Sequence, residues 1–143
     1  MIRFFDSSSL AKLYLAEEGS DVVLGLSQDC QIVICRLAEA EVSSALARRR
    51  KAGSLNPAEY ASAIDTLRRD LQIMRIVELP PALFSAVHSL LDRHALRAAD
   101  ALQLSAALTL RDRAQEITED IEFVCHDERL RSAARAEGLR VLP

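Results

Sequence analysis

The 143-residue chain has no tryptophan, and only 4% of its residues are aromatic. A single-strand binder that stacks bases on an aromatic platform is a poor match to such a chain. Glycine and proline number four each, too few for collagen-like or low-complexity sequence. The three cysteines, Cys30, Cys35 and Cys125, are odd in number and show no C-x-x-C spacing. Neither a disulfide framework nor a thiolate zinc site is suggested. The start, MIRFFDSSSL, lacks the pattern of a secretory leader, and no run of about 18 apolar residues occurs. The expected setting is the reducing cytoplasm, without a membrane. Also missing are G-x-x-x-x-G-K-[ST] and G-x-G-x-x-G, the phosphate cradles of nucleotide-binding folds. The net charge of −3 excludes a non-specific polyanion binder, so any nucleic-acid contact must come from a local basic surface.

What is present describes a packed domain. Half of the residues are hydrophobic (50%) and 27% are charged, and the length suits one domain over 1–143. Apolar runs at 2–5, 31–34, 73–79 and 121–125 read as strands, with a possible edge strand at 140–142. Between them lie helical patterns. One follows Asp6 through Leu10, Leu13 and Tyr14, with Ser7 to Ser9 as capping side chains. Others cover 19–26, 36–52 with Gly53 as its stop, 57–69 behind Asn56 and Pro57, 82–94, 97–115 and 127–137. The 97–115 helix is apolar on nearly every side and should be buried. Apolar strands alternating with helices predict an α/β fold, a parallel sheet of four to five strands covered on both faces. Ligands in such folds sit beyond the carboxyl ends of the strands.

Four acids stand where acids are uncommon. Asp6 and Asp127 each follow a strand and precede a helix, a place that suits either a helix cap or a site at the sheet edge. On the 36–52 helix, steps of about 100° put Glu41 within the apolar arc of Ala38, Val42 and Ala45, and Glu39 just outside it. Asp100 interrupts Ala98-Ala99-Asp100-Ala101-Leu102, where burying a charge is costly. It needs a compensating group, either an ion pair with Arg93, Arg97 or Arg111 or a metal ion. Packed carboxylates repel one another, so together they must hold protons or share a cation. Oxygen-only ligands select Mg²⁺ or Mn²⁺, whose chemistry here would be phosphoryl transfer. One ion or two is left open.

Basic residues concentrate at Arg48, Arg49, Arg50 and Lys51, and again at Arg129, Arg131 and Arg135. Runs of this kind are ordinarily solvated. Yet 16 of the 18 cations are arginine, whose planar fork suits phosphate. His88 and His94 have the wrong spacing for a metal pair on one helix face, and His126, beside Asp127, is close enough to the proposed site to touch substrate but reads first as a bystander.

The segments FFDSSSLAKLY, AEVSSALAR, RAADALQLSAA and FVCHDERLRSAARAEGL, in this order over nearly the whole chain, resemble the PIN domain family, and within it the VapC-type toxins. The resemblance implies Asp6, Glu41, Asp100 and Asp127 as an acidic Mg²⁺ or Mn²⁺ site, with Ser8 supporting the first. It also implies a three-layer α/β/α fold, a homodimer, endonucleolytic cleavage of RNA, and a cognate antitoxin that can place a basic side chain at the acids. Cys125 departs from the pattern, which often has Thr or Ser two residues before the last acid. Two other readings remain: a binding or regulatory module whose acids serve structural pairs, and a metal-dependent phosphatase of small molecules.

Overall fold

The computed structural model describes residues 1–116 and 119–143. Its five strands, β1 (Ile2–Phe5), β2 (Gln31–Cys35), β3 (Arg75–Val77), β4 (Ile121–Val124) and β5 (Arg140–Leu142), form one sheet in the order β3-β2-β1-β4-β5. Every pairing is parallel. The strands are apolar without alternation because both faces are covered: Phe4 and Phe5 point to opposite sides and both are fully buried.

Helices α1 (Ser7–Ala11), α2 (Ser20–Ser27), α3 (Arg36–Lys51) and α4 (Pro57–Asp70) cover one face through Leu10, Val23, Val42, Leu46 and Leu67. Helices α5 (Pro81–Arg93), α6 (Ala98–Gln115) and α7 (Glu128–Ala136) cover the other through Leu83, Leu104, Leu110 and Leu130. There Phe4 meets Phe123 with ring centroids 5.6 Å apart. The result is the three-layer α/β/α arrangement. No helix among the described residues is long and apolar enough to cross a membrane.

Local signals set most boundaries. Asn56 and Glu59 close a reciprocal capping box at α4 with both hydrogen bonds at 2.8 Å, and Gly53 takes a left-handed φ of +79° just past α3. Two expectations are corrected. The helix after β1 stops at Ala11 instead of reaching Tyr14, because the chain tightens into i to i−3 turns that carry the Tyr14 hydroxyl to Asp70 at 2.9 Å. The strand expected over 73–79 shrinks to three residues, since β2 offers partners only from Val33 to Cys35. Ile73 is left exposed.

This topology fixes where a site can be. The strand order reverses direction between β1 and β4, so the crevice opens beyond their carboxyl ends. There the Asp6 amide donates to the Val124 carbonyl at 3.1 Å, binding the exit of one strand to the other.

Candidate active site

Asp6 leaves β1 directly into α1 and is the cap of that helix, so the three serines behind it are free for other contacts. Its Oδ1 accepts the Ser9 amide at 2.8 Å, and its Oδ2 accepts the Ser8 hydroxyl at 2.6 Å. The Cys125 thiol lies 3.5 Å from the same Oδ2. The residue is buried. Burial pushes its carboxyl above the ordinary aspartate range, opposed by the hydrogen bonds from Ser8, Ser9 and Cys125.

Glu41, on α3, accepts the Ser7 hydroxyl and the Gln103 Nε2, the latter at 3.0 Å. Glu39 turns the other way and pairs with Arg36 at 2.8 Å. Asp100 falls in the first turn of α6, where the helix dipole favours an anion. It is half-buried. Its carboxyl is raised first by burial and then by the charges of Asp127, Glu41 and Asp6, so the acids share one field. Asp127 caps α7 by accepting the Leu130 amide at 2.9 Å through Oδ1, and it is exposed.

None of these four acids belongs to an ion pair among the described residues. The pairs conceivable for Asp100 are absent, with Arg93 held by Glu137 and Arg111 by Asp112. Glu122 shows how this fold treats a buried acid that serves structure: Arg3 holds it at 2.7 Å and Arg140 at 3.2 Å. Among the described residues no three Asp, Glu, His or Cys side chains are gathered to chelate one ion. The acids therefore feel one another's charge without forming a preassembled chelate. Their chemistry, oxygen donors with net negative charge and no internal cation, fits a hard divalent ion.

From Ser8 and Asp127 a groove of about 540 Å³ runs between α1 and α3, past Lys12, Arg48 and Arg49. The other basic candidates do not line this groove. The Arg50 guanidinium sits 5.1 Å from the centre of the Tyr60 ring, and Lys51, Arg129 and Arg135 are exposed. Arg131 leans towards Glu128 at 3.6 Å.

A family model of the PIN domain matches residues 3–136. The chain belongs to the PIN domain family. Ribonuclease VapC49 of Mycobacterium tuberculosis is 33% identical to this PIN domain over 141 residues, which cover 98% of this chain and 94% of the relative. Among solved structures it is similar to VapBC-1 from nontypeable Haemophilus influenzae, with a TM-score of 0.65 and 13% identity over 99% of this chain and 97% of that one. It is also similar to VapC20 of Mycobacterium tuberculosis, a Sarcin-Ricin loop cleaving toxin, with a TM-score of 0.64 and 16% identity over 96% and 95% of the two chains.

In this PIN domain the cysteine that departs from the pattern reaches both strand-end acids. The Cys125 Sγ lies 3.5 Å from Asp6 Oδ2 and 3.5 Å from the Asp127 carbonyl. Burial, then the neighbouring Asp6 charge, pushes the thiol far up, so it stays protonated as a weak donor in a hydroxyl's place. Gln103 and Ser7 escape a reading based on acids alone, though Gln103 follows Asp100 at i+3, on one side of the helix. His126 is more than a neighbour of Asp127, since its Nδ1 is 3.0 Å from the Ser9 hydroxyl. Burial, and after it the Lys12 charge, lowers its pKa. Its Nε2 would lie 2.9 Å from any Cβ at Gly19, which has a left-handed φ of +83°. Glycine is thus required there twice over.

Proposed function

We propose that this PIN domain is a metal-dependent endoribonuclease, the toxin of a toxin-antitoxin pair. The observation that carries the reading is the contrast between Glu122, held by two arginines, and the four acids grouped with the β1/β4 crevice, which have no cation partner among the described residues. Asp6, Glu41, Asp100 and Asp127 would hold Mg²⁺ or Mn²⁺. When bound, such an ion supplies Lewis acidity, easing loss of a water proton and offsetting charge on the phosphate. The chain's own contribution is positional. Ser8, Ser9 and Cys125 fix the Asp6 carboxylate, Ser7 and Gln103 fix Glu41, and the Leu130 amide fixes Asp127 through Oδ1. Lys12, Arg48 and Arg49 offer phosphate contacts along the groove.

An open groove suits a polymer better than a small phosphomonoester, which needs enclosure. A homodimer belongs to the same reading, supported by exposed Phe84 and Leu91, seven apart on α5; a monomeric mass in solution contradicts it. A cognate antitoxin is supported by a structural neighbour that is a VapBC protein. A guanidinium from such a partner would find unpaired carboxylates to bridge.

The test is incubation of the purified chain with single-stranded RNA and with a chromogenic phosphomonoester, in Mg²⁺ or Mn²⁺. Internal cuts in RNA and an intact phosphomonoester are expected, with the cutting suppressed by the copurified antitoxin. The reverse pattern would make the protein a phosphatase. Inertness toward both would leave a binding module.

A further inference from the structure

The groove beside the acids is partly filled by the protein itself. Glu17, between α1 and α2, places Oε1 3.1 Å from Lys12 Nζ and Oε2 2.8 Å from Arg49 Nη2. The carboxylate is set there by its backbone, since the Glu17 amide donates to Ser20 Oγ at 3.0 Å and that hydroxyl donates to the Leu15 carbonyl at 2.9 Å. A carboxylate with one charge shared over two oxygens, each facing a separate cation, is the side-chain counterpart of a phosphodiester with its two non-bridging oxygens. Without Glu17 the Lys12 ammonium, on a side chain 11% exposed, would keep among the described residues the Glu18 carbonyl at 2.6 Å. Arg48 has no acid partner among the described residues and donates to Ser44 at 3.0 Å.

Helix α3 ties this cation pair to the acids. Glu41, Ala45 and Arg48 follow one another at steps of four and three, so they share a face, and Arg49 lines the groove beside Arg48. The arginines stand about 11 Å along the helix from Glu41, with the small Ala45 between. A strand whose reacting phosphate lay among the acids would carry a neighbouring phosphate over Lys12 and Arg49. Glu17 and Arg49 are 29% and 43% exposed, and ion pairs this open are weakly held. Glu17 is therefore displaceable.

We propose that Lys12 and Arg49 form a phosphodiester subsite, and that Glu17 is its internal stand-in, displaced when an RNA strand enters. This rests on the ribonuclease reading and adds a site and a competitor to it. The test is the affinity of a fluorescein-labelled single-stranded RNA, followed by anisotropy in EDTA across a salt series, with melting curves to confirm folding. Glu17→Gln should tighten binding about fivefold at low salt. The log–log salt slope should stay near that of wild type, because the same phosphate is neutralised once Glu17 has left, whereas loss of the Arg49 contact should flatten it by up to about 0.7. Arg49→Gln should weaken binding, and combined with Glu17→Gln it should cancel most of the gain. Unchanged affinity in Glu17→Gln overturns the stand-in, while wild-type RNA cleavage would keep the ribonuclease reading standing. Absence of RNA binding by every variant overturns both. Tightening toward an oligoglutamate peptide but not toward RNA also overturns the proposal and assigns the groove to an acidic protein segment.

Discussion

Asp6→Asn is expected to melt higher than wild type in metal-free buffer while cutting RNA on the order of 10³-fold more slowly or worse. The two effects have one cause. Burial has raised the Asp6 carboxyl, so the folded protein holds a proton at pH values where the unfolded chain has already lost it. The native state then binds more protons than the unfolded state between the ordinary aspartate value, about 3.9, and the folded-state value. Stability accordingly falls as pH rises through that window and remains depressed above it. Asparagine carries no charge at any of these pH values, so its advantage is present near neutrality and fades in acid. The local structure survives because asparagine caps a helix about as well as aspartate does. Its Oδ1 keeps the Ser9 amide, and the Ser8 hydroxyl can turn to accept instead of donate. Asp100→Asn and Glu41→Gln should inactivate likewise, whereas Glu39→Gln removes only a surface partner of Arg36 and should keep wild-type cleavage. Melting curves from pH 4 to 8 beside a cleavage assay check both halves. Loss of stability at pH 7 in Asp6→Asn would mean that the charge is compensated in the native protein.

Arg3→Met is expected to do the opposite, lowering stability with the chemistry intact. Glu122 is buried in the sheet, and Arg3 is the closer and less exposed of its two partners. Glu122 holds the Arg3 guanidinium above its ordinary pKa, the mark of a pair that forms in the folded state. The arginine also donates to the Leu26 carbonyl at 2.7 Å. Removing it leaves a buried carboxylate with only Arg140, most of whose side chain is in water. Breaking a buried pair in this way costs about 3 kcal/mol, which for a chain of this size lowers Tm by roughly 10 °C. Glu122→Leu added to Arg3→Met should recover most of the loss, because the uncompensated charge is then gone. Thermal melts of the single and double variants, with cleavage measured well below the lowered Tm, decide it. An unchanged Tm in Arg3→Met would remove the contrast between paired and unpaired acids on which the site was assigned.

The elements were legible where one residue type does one local job. Apolar runs gave the strands, and the Asn56–Glu59 box and Gly53 marked helix ends. The facing of Glu41 against Glu39 followed from helical steps alone. Partner choices across the chain left no such mark. The strand order depends on which apolar edges meet, and all four longer runs look alike in sequence. The contact of Ser9 with His126 joins residues 117 apart, and Glu17 meets Arg49 across 32. For Asp6 and Asp127 the sequence allows either a cap or a site residue, and the structure shows the cap at both, with Asp6 accepting the Ser9 amide and Asp127 the Leu130 amide; one capping oxygen does not use up a carboxylate. The buried Gln103 was hidden for a different reason. Its neighbours in α6 are alanine and leucine, and a neutral amide inside an apolar helix signals a partner only once that partner is known.

The central claim is that the four unpaired acids exist to hold a divalent cation that RNA cleavage requires. The most direct measurement follows one labelled RNA with EDTA-treated protein, before and after Mn²⁺ is returned in excess over the chelator, for wild type and Asp100→Asn side by side. The account predicts no internal cuts in EDTA, restored cutting by wild type with Mn²⁺, and none by Asp100→Asn at the same Mn²⁺ concentration. Cutting by wild type at an equal rate in EDTA would contradict it.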